Sequence, residues 1–168
     1  MAVGNYSTDF HAVPGVRLAG ISCGIKGLDQ LDLVLFEFAP GSVTVGIFTQ
    51  SHFAAAPVLV GREHLDLSNS RYFLINSGNA NAATGDEGKF DAVNCCKALS
   101  QRTGVRADEV IPFSTGVIGE KLQVSNITDG LSELISTLDE TNWLLAAQGI
   151  MTTDTRPKIA SRRLEIEG

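Results

Sequence analysis

A chain of 168 residues with 43% hydrophobic and 19% charged residues has enough apolar material to bury roughly 70% of its unfolded surface, which excludes a disordered segment or a stapled mini-protein. The formal net charge of -6, with no run of Lys or Arg, excludes the basic footprint of a nucleic-acid binder and leaves small molecules or proteins as partners. No membrane span is expected, because Asp32 and Glu37 interrupt the most apolar run, "LDLVLFEFAPG", well short of ~18 residues.

The opening residues, "MAVGNYSTDFHAVPG", carry neither the basic start nor the apolar core of a secretory leader. Beyond them, residues 17–25, 31–38 and 42–49 are short runs of β-formers separated by the turn signals "KGLDQ" and "APGS", which predicts an antiparallel meander. Residues 71–78 and 110–116 predict a fourth and a fifth strand. Between these two, Thr84-x-x-Glu87 reads as a capping box opening a helix with Ala92, Cys95, Cys96 and Leu99 on one face, stopped by Gly104. A second amphipathic helix follows a Ser125 cap, with Ile127, Leu131, Leu134, Ile135 and Leu138 inward, and a third runs from about Trp143 to Met151. In the closing "KIASRRLEIEG", Leu164 and Ile166 alternate with Arg163, Glu165 and Glu167, which predicts a strand with one wet face. A strand at the last residue suggests an architecture continued on another chain or in a missing piece. No internal repeat or low-complexity tract divides residues 1–168, so one domain of mixed strands and helices is expected.

Cys23, Cys95 and Cys96 are odd in number and lack CxxC spacing, and neighbouring cysteines do not easily meet disulfide geometry. Reduced thiols and a cytoplasmic location follow as expectations. His11, His52 and His64 lack metal-ligand spacing and read as surface or capping residues.

Three stretches could carry chemistry. "NSGNANAATG" (76–85) joins a strand to a helix, where backbone N–H groups can hold an anion, or where Gly and Asn simply build a tight turn. "STGVIG" (114–119) places a threonine hydroxyl beside a glycine N–H, two adjacent donors of the kind that hold an oxyanion; the plainer reading is a strand-end turn. Neither stretch supplies a nucleophile with its base, so acyl transfer would need residues from elsewhere. "GIMTTDT" (149–155) ends a helix with polar side chains that either turn the chain or contact a polar substrate.

Taken in order and at their spacing, "GVRLAGISCGIK", "AAPVLVGREHL", "INSGNANAATG", "PFSTGVIGEKL" and "GIMTTDT" resemble the ornithine acetyltransferase family, the bifunctional glutamate N-acetyltransferases of arginine biosynthesis. The resemblance covers about residues 10–168. It implies an α/β (α+β) layered sandwich with central β-sheets and outer helices, an N-terminal-nucleophile-like self-processing fold in which a precursor cuts itself before an internal threonine. This sequence corresponds to the α chain; the partner β chain from the same precursor begins with the nucleophilic Thr. That threonine takes the acetyl group of N2-acetyl-L-ornithine and passes it to L-glutamate. Bifunctional members also take acetyl-CoA as co-substrate, and no cofactor or metal is implied. By motif, Thr115 and Gly116 become the oxyanion hole and Thr152 a substrate contact, with Thr153 the alternative one position on. An α2β2 or larger assembly is implied, without nucleic acid or membrane.

Two departures from the family pattern stand out. Ala83 occupies a position where cysteine is frequent, which reads as a packing change, and the family's "AKG" lysine and cleavage site would follow "LEIEG" by some twenty residues or more. Two rival functions fit the residues less completely: a self-processing aminopeptidase of related fold, and a non-catalytic structural partner chain.

Overall fold

The computed structural model describes residues 10–166, so the first nine residues and the end of the predicted closing strand, Glu167 and Gly168, lie outside it. Along the chain come β1 (Val16–Ile21), β2 (Leu33–Phe38), α1 (Ala56–Leu67), β3 (Tyr72–Asn79), α2 (Gly85–Thr103), β4 (Val110–Val117), α3 (Val124–Ser136) and α4 (Trp143–Gly149). The strands form one sheet in the order β1-β2-β3-β4, antiparallel except for the last pair. Parallel strands need a crossover, and α2 provides it between β3 and β4. The mixed α/β class is as expected, with a single sheet among the described residues.

Strand alternation divides the core. Leu33 and Leu35 of β2, with Ala19, Ile21, Tyr72 and Leu74 of its neighbours, face Cys95, Cys96 and Leu99 of α2 and Ile127, Leu131 and Leu134 of α3. Leu18 and Val34 point the other way, against Ala146 of α4 and the half-buried Phe36 and Trp143. On that second face Phe38, Phe73 and Phe113 make a row, with ring centroids 4.6 and 5.0 Å apart.

The third strand of the expected meander does not form. Residues 42–49 have no regular structure, and Val43, Val45 and Ile47 are exposed, because β3 takes the edge of β2 through the register from Leu33 opposite Asn76 to Glu37 opposite Tyr72. A run of β-formers without a pairing edge gains nothing from its propensity. The same holds for the closing segment: residues 158–166 are not a strand, and Leu164 and Ile166 are exposed.

Helix α1 was not anticipated. Pro57 lies in its first turn, where a missing N–H costs nothing. Its buried stripe of Ala56, Val60 and His64 lies along the outer edge of β4. There His64 Nδ1 meets the Val110 carbonyl at 2.7 Å, so His64 is a buried edge cover rather than a surface or capping residue. Two expected caps are also absent. The Thr84 hydroxyl donates to Asn81 Oδ1 and not to the first turn of α2, and α3 starts at Val124, with Gln123 before it and Ser125 already inside. Gly104 does stop α2, in left-handed conformation with its N–H on the Ser100 carbonyl. The third helix ends at Gly149, two residues earlier than expected.

All three cysteines are free, and among the described residues no His, Cys, Asp and Glu cluster could hold a metal and no helix is long and apolar enough to cross a membrane. Burial pushes the Cys95 thiol up to about 12, with Asp91 adding to it. Cys23 reaches about 12 through burial first and the nearby Asp32 second, and burial raises Cys96 as well. A thiol raised on folding contributes stability that is intact below its unfolded value of ~8.5 and is lost as pH climbs towards the folded value. Urea midpoints measured at about pH 7 and about pH 10 should therefore fall at the higher pH, and iodoacetamide should label the buried Cys95 and Cys96 at neutral pH only after unfolding. Rapid labelling of either in the folded protein would contradict the burial.

Candidate active site

Because β3 and β4 are parallel, their carboxyl ends emerge together, and these ends are the motifs "NSGN" and "STGV". Open α/β sheets commonly place ligands outside such ends. Ser77 lies opposite Thr115 and Gly78 opposite Gly116, and the register then shifts at Asn79, which opposes both Thr115 and Val117. The shift marks a bulge, a device that re-aims side chains at a strand end.

Alternation separates the two hydroxyls of "STG". Ser114 turns to the α2 face and donates to Asn76 Oδ1 at 2.6 Å. Thr115 is on the opposite face, half-buried, and its hydroxyl has no hydrogen-bond partner among the described residues. Gly116 is exposed with φ 137, and a Cβ there would stand 2.3 Å from the Gly78 carbonyl carbon and 2.6 Å from the Asn79 nitrogen. Only glycine allows the two strands this close. A free hydroxyl beside a residue with no side chain leaves a strand end that a small carbonyl compound can approach closely.

The Gly-Asn loop behaves as a turn. Asn79 accepts the Asn81 N–H at 2.7 Å and donates to the Lys121 carbonyl at 3.0 Å, while Asn76 donates to the Asn79 carbonyl at 2.8 Å. Asn81, at φ 45, donates to the Gly88 carbonyl at 2.8 Å and accepts from Thr84. With these side-chain amides engaged internally, the loop braces the bulge. Ala83 is exposed at φ 58, so the departure from the family's cysteine is a surface feature rather than a packing change.

Thr152 and Thr153 both lie exposed, just beyond α4. The structure ties this segment to the strand bearing Thr115's partner: the buried Ser77 hydroxyl donates to the Gly149 carbonyl, and Gly149 packs so tightly on β2 that a Cβ would lie 2.3 Å from Val34 Cγ2. Asp154 is turned to Lys158, whose hydrogen bond holds its carboxyl below the usual range.

Three supporting residues went unrecognised in the sequence. Asp32 is fully buried and accepts the N–H groups of Cys23, Ile25 and Lys26 at 2.7, 2.6 and 3.0 Å. Lys26 extends from that loop to the end of α4, and burial lowers its pKa against the opposing pull of Asp32. Ser77 is the third. The available signal was an acid set directly before the apolar residues 33–36, since a buried carboxylate requires several donors.

A model of the ArgJ family matches residues 17–168. The arginine biosynthesis bifunctional protein ArgJ of Methylococcus capsulatus is 49% identical over 156 residues, covering 93% of this chain and 38% of that protein. Its namesake from Psychrobacter arcticus is 43% identical over 170 residues, covering 100% of this chain and 42% of its own length. The chain thus spans about two-fifths of these curated relatives. Among solved structures, ornithine acetyltransferase complexed with ornithine from Mycobacterium tuberculosis matches with a TM-score of 0.81 at 33% identity, over 84% of this chain and 78% of that one. The Bacillus halodurans arginine biosynthesis bifunctional protein matches with 0.78 at 29% identity, over 84% and 74%. With the family pattern running over residues 17–168 and relatives of 43–49% identity along nearly its whole length, this chain belongs to the ArgJ family.

Proposed function

We propose that this chain is the α part of a cytoplasmic acetyltransferase that moves the acetyl group of N2-acetyl-L-ornithine to L-glutamate, in an α2β2 or larger assembly whose β chain, cut from the same precursor, begins with a nucleophilic threonine. The observation that carries the proposal is the unpartnered Thr115 hydroxyl beside Gly116 at the paired strand ends. In this scheme the β-chain threonine Oγ attacks the acetyl carbonyl while its own α-amine takes the proton. Thr115 and Gly116 donate to the oxyanion, and Thr152 contacts the substrate. Collapse breaks the acetyl C–N bond, the ornithine nitrogen takes the proton, and an acetyl-threonine ester is left. Glutamate's amine then attacks that ester, forming N-acetylglutamate and restoring the hydroxyl. Acetyl-CoA enters as an alternative acetyl donor to the same threonine, and no cofactor is needed.

Incubating the processed full-length protein with N-acetylornithine alone should yield a Thr-started chain one acetyl group heavier by mass spectrometry, with ping-pong kinetics once glutamate is added. Peptide hydrolysis without acetyl transfer would favour the aminopeptidase alternative. A protein that neither cuts itself nor becomes acetylated would be a structural partner only.

A further inference from the structure

The geometry points to Lys26 as a positioning residue that sets the spacing between the Thr115–Gly116 strand end and Thr152, an assignment that rests on the function proposed above. Its stem touches one half of the site. A Cβ placed on Gly78 would come within 2.9 Å of Lys26 Cγ, and Gly78 is the residue opposite Gly116. Its head holds the other half: Nζ donates to the Leu31 carbonyl at 3.0 Å, the Gly149 carbonyl at 3.5 Å and the Met151 carbonyl, the residue just before Thr152. Three ammonium protons thus meet three carbonyls, two of them at the C-terminal end of α4, where a cation is favoured. The main chain of Lys26 is itself fixed, since its N–H donates to Asp32, and the Asp32 carbonyl accepts the N–H of Ser77 at 2.8 Å. Ser77 closes the circuit by donating to the same Gly149 carbonyl from its place opposite Thr115. A cationic side chain rather than a neutral one is required because a neutral side chain offers at most two donors to these three carbonyls, and a shift of Met151 displaces Thr152 directly.

Thr152 contacts substrate in the ground state, so loosening it weakens substrate binding more than the chemical step. In the full-length protein, Lys26→Met should raise KM for N-acetylornithine about tenfold, the size of one lost charge-assisted hydrogen bond, with kcat within about twofold and self-cleavage preserved. Lys26→Arg should recover part of the loss. In a Thr152→Ala background, Lys26→Met should add nothing further, since both act through one contact. Amide exchange over Met151–Thr153 should quicken in Lys26→Met and stay unchanged over Thr115–Val117. If Lys26→Met fails to fold, Ser77→Ala, which releases the same Gly149 carbonyl, should give the same KM shift and the same local exchange. An unchanged KM with falling kcat and cleavage, additivity with Thr152→Ala, or unaltered exchange at Met151–Thr153 overturns the assignment. Should the unmodified protein transfer no acetyl group at all, the proposed function fails, while the exchange measurement still decides whether Lys26 holds the segment.

Discussion

Thr115→Ala in the full-length protein is expected to lower kcat by roughly 10²–10³-fold, the usual cost of removing one oxyanion donor, with little change in the thermal midpoint. The small structural effect follows from the geometry: Thr115 is half-buried, its hydroxyl bonds to none of the described residues, and so its removal leaves no buried group unpaired. Self-cleavage should slow as well, because scission of the peptide bond before the threonine passes through a similar tetrahedral oxyanion. Ser114→Ala provides the contrast. Its hydroxyl is committed to Asn76, so that substitution should lower stability by about 1 kcal/mol and leave turnover much closer to normal. A Thr115→Ala protein that matures and transfers acetyl at the normal rate would remove the oxyanion assignment.

The second large effect is expected at Gly116, through the backbone. A methyl there meets the Gly78 carbonyl carbon at 2.3 Å and its oxygen at 2.5 Å, and the residue must also hold φ 137, which L side chains rarely adopt. Strain and steric overlap together should cost at least ~3 kcal/mol and force β3 and β4 apart at the bulge. Gly78→Ala is the informative comparison. Its added methyl meets side-chain atoms closely, Ile25 Cγ2 and Lys26 Cγ at 2.9 Å, and backbone only at the ordinary contact distance of 3.5 Å to the Lys26 nitrogen, although its own φ of 100 is also unfavourable. Denaturant unfolding should therefore rank Gly116→Ala as the more damaging of the two. Equal stabilities would mean that the strands can separate there freely, and the rigid platform beneath Thr115 would be lost as an explanation.

Periodicity served well where an element packs one face against the sheet. The helix stopped by Gly104 was legible because Ala92, Cys95, Cys96 and Leu99 recur at helical spacing, and the same is true of Ile127, Leu131 and Leu134 in α3. It failed for residues 42–49, where alternating Val43, Val45 and Ile47 resemble a strand but pair with none among the described residues. It also failed for α1, whose Pro57 and Gly61 hide a helix that exists because it covers the edge of β4. At the candidate site, Thr115 and Gly116 could be picked out as adjacent donors, but Asp32 looked like an interruption and Lys26 like part of a turn. Their importance depends on partners 123 and 125 residues away for Lys26, a separation that no local pattern encodes.

By itself, then, the sequence determined the mixed α/β class, the family pattern and the identity of the residues at the strand end, because side-chain chemistry and local periodicity are properties of short segments. Only the tertiary structure decided which of the β-forming runs would be strands, that Ser114 and Thr115 face opposite ways, and that Lys26 and Ser77 join the Thr115 strand to the segment carrying Thr152. The physical reason is that strand pairing and buried hydrogen bonds are contracts between distant groups. Whether a run of β-formers finds an edge, or a buried charge finds its donors, is settled by the rest of the chain.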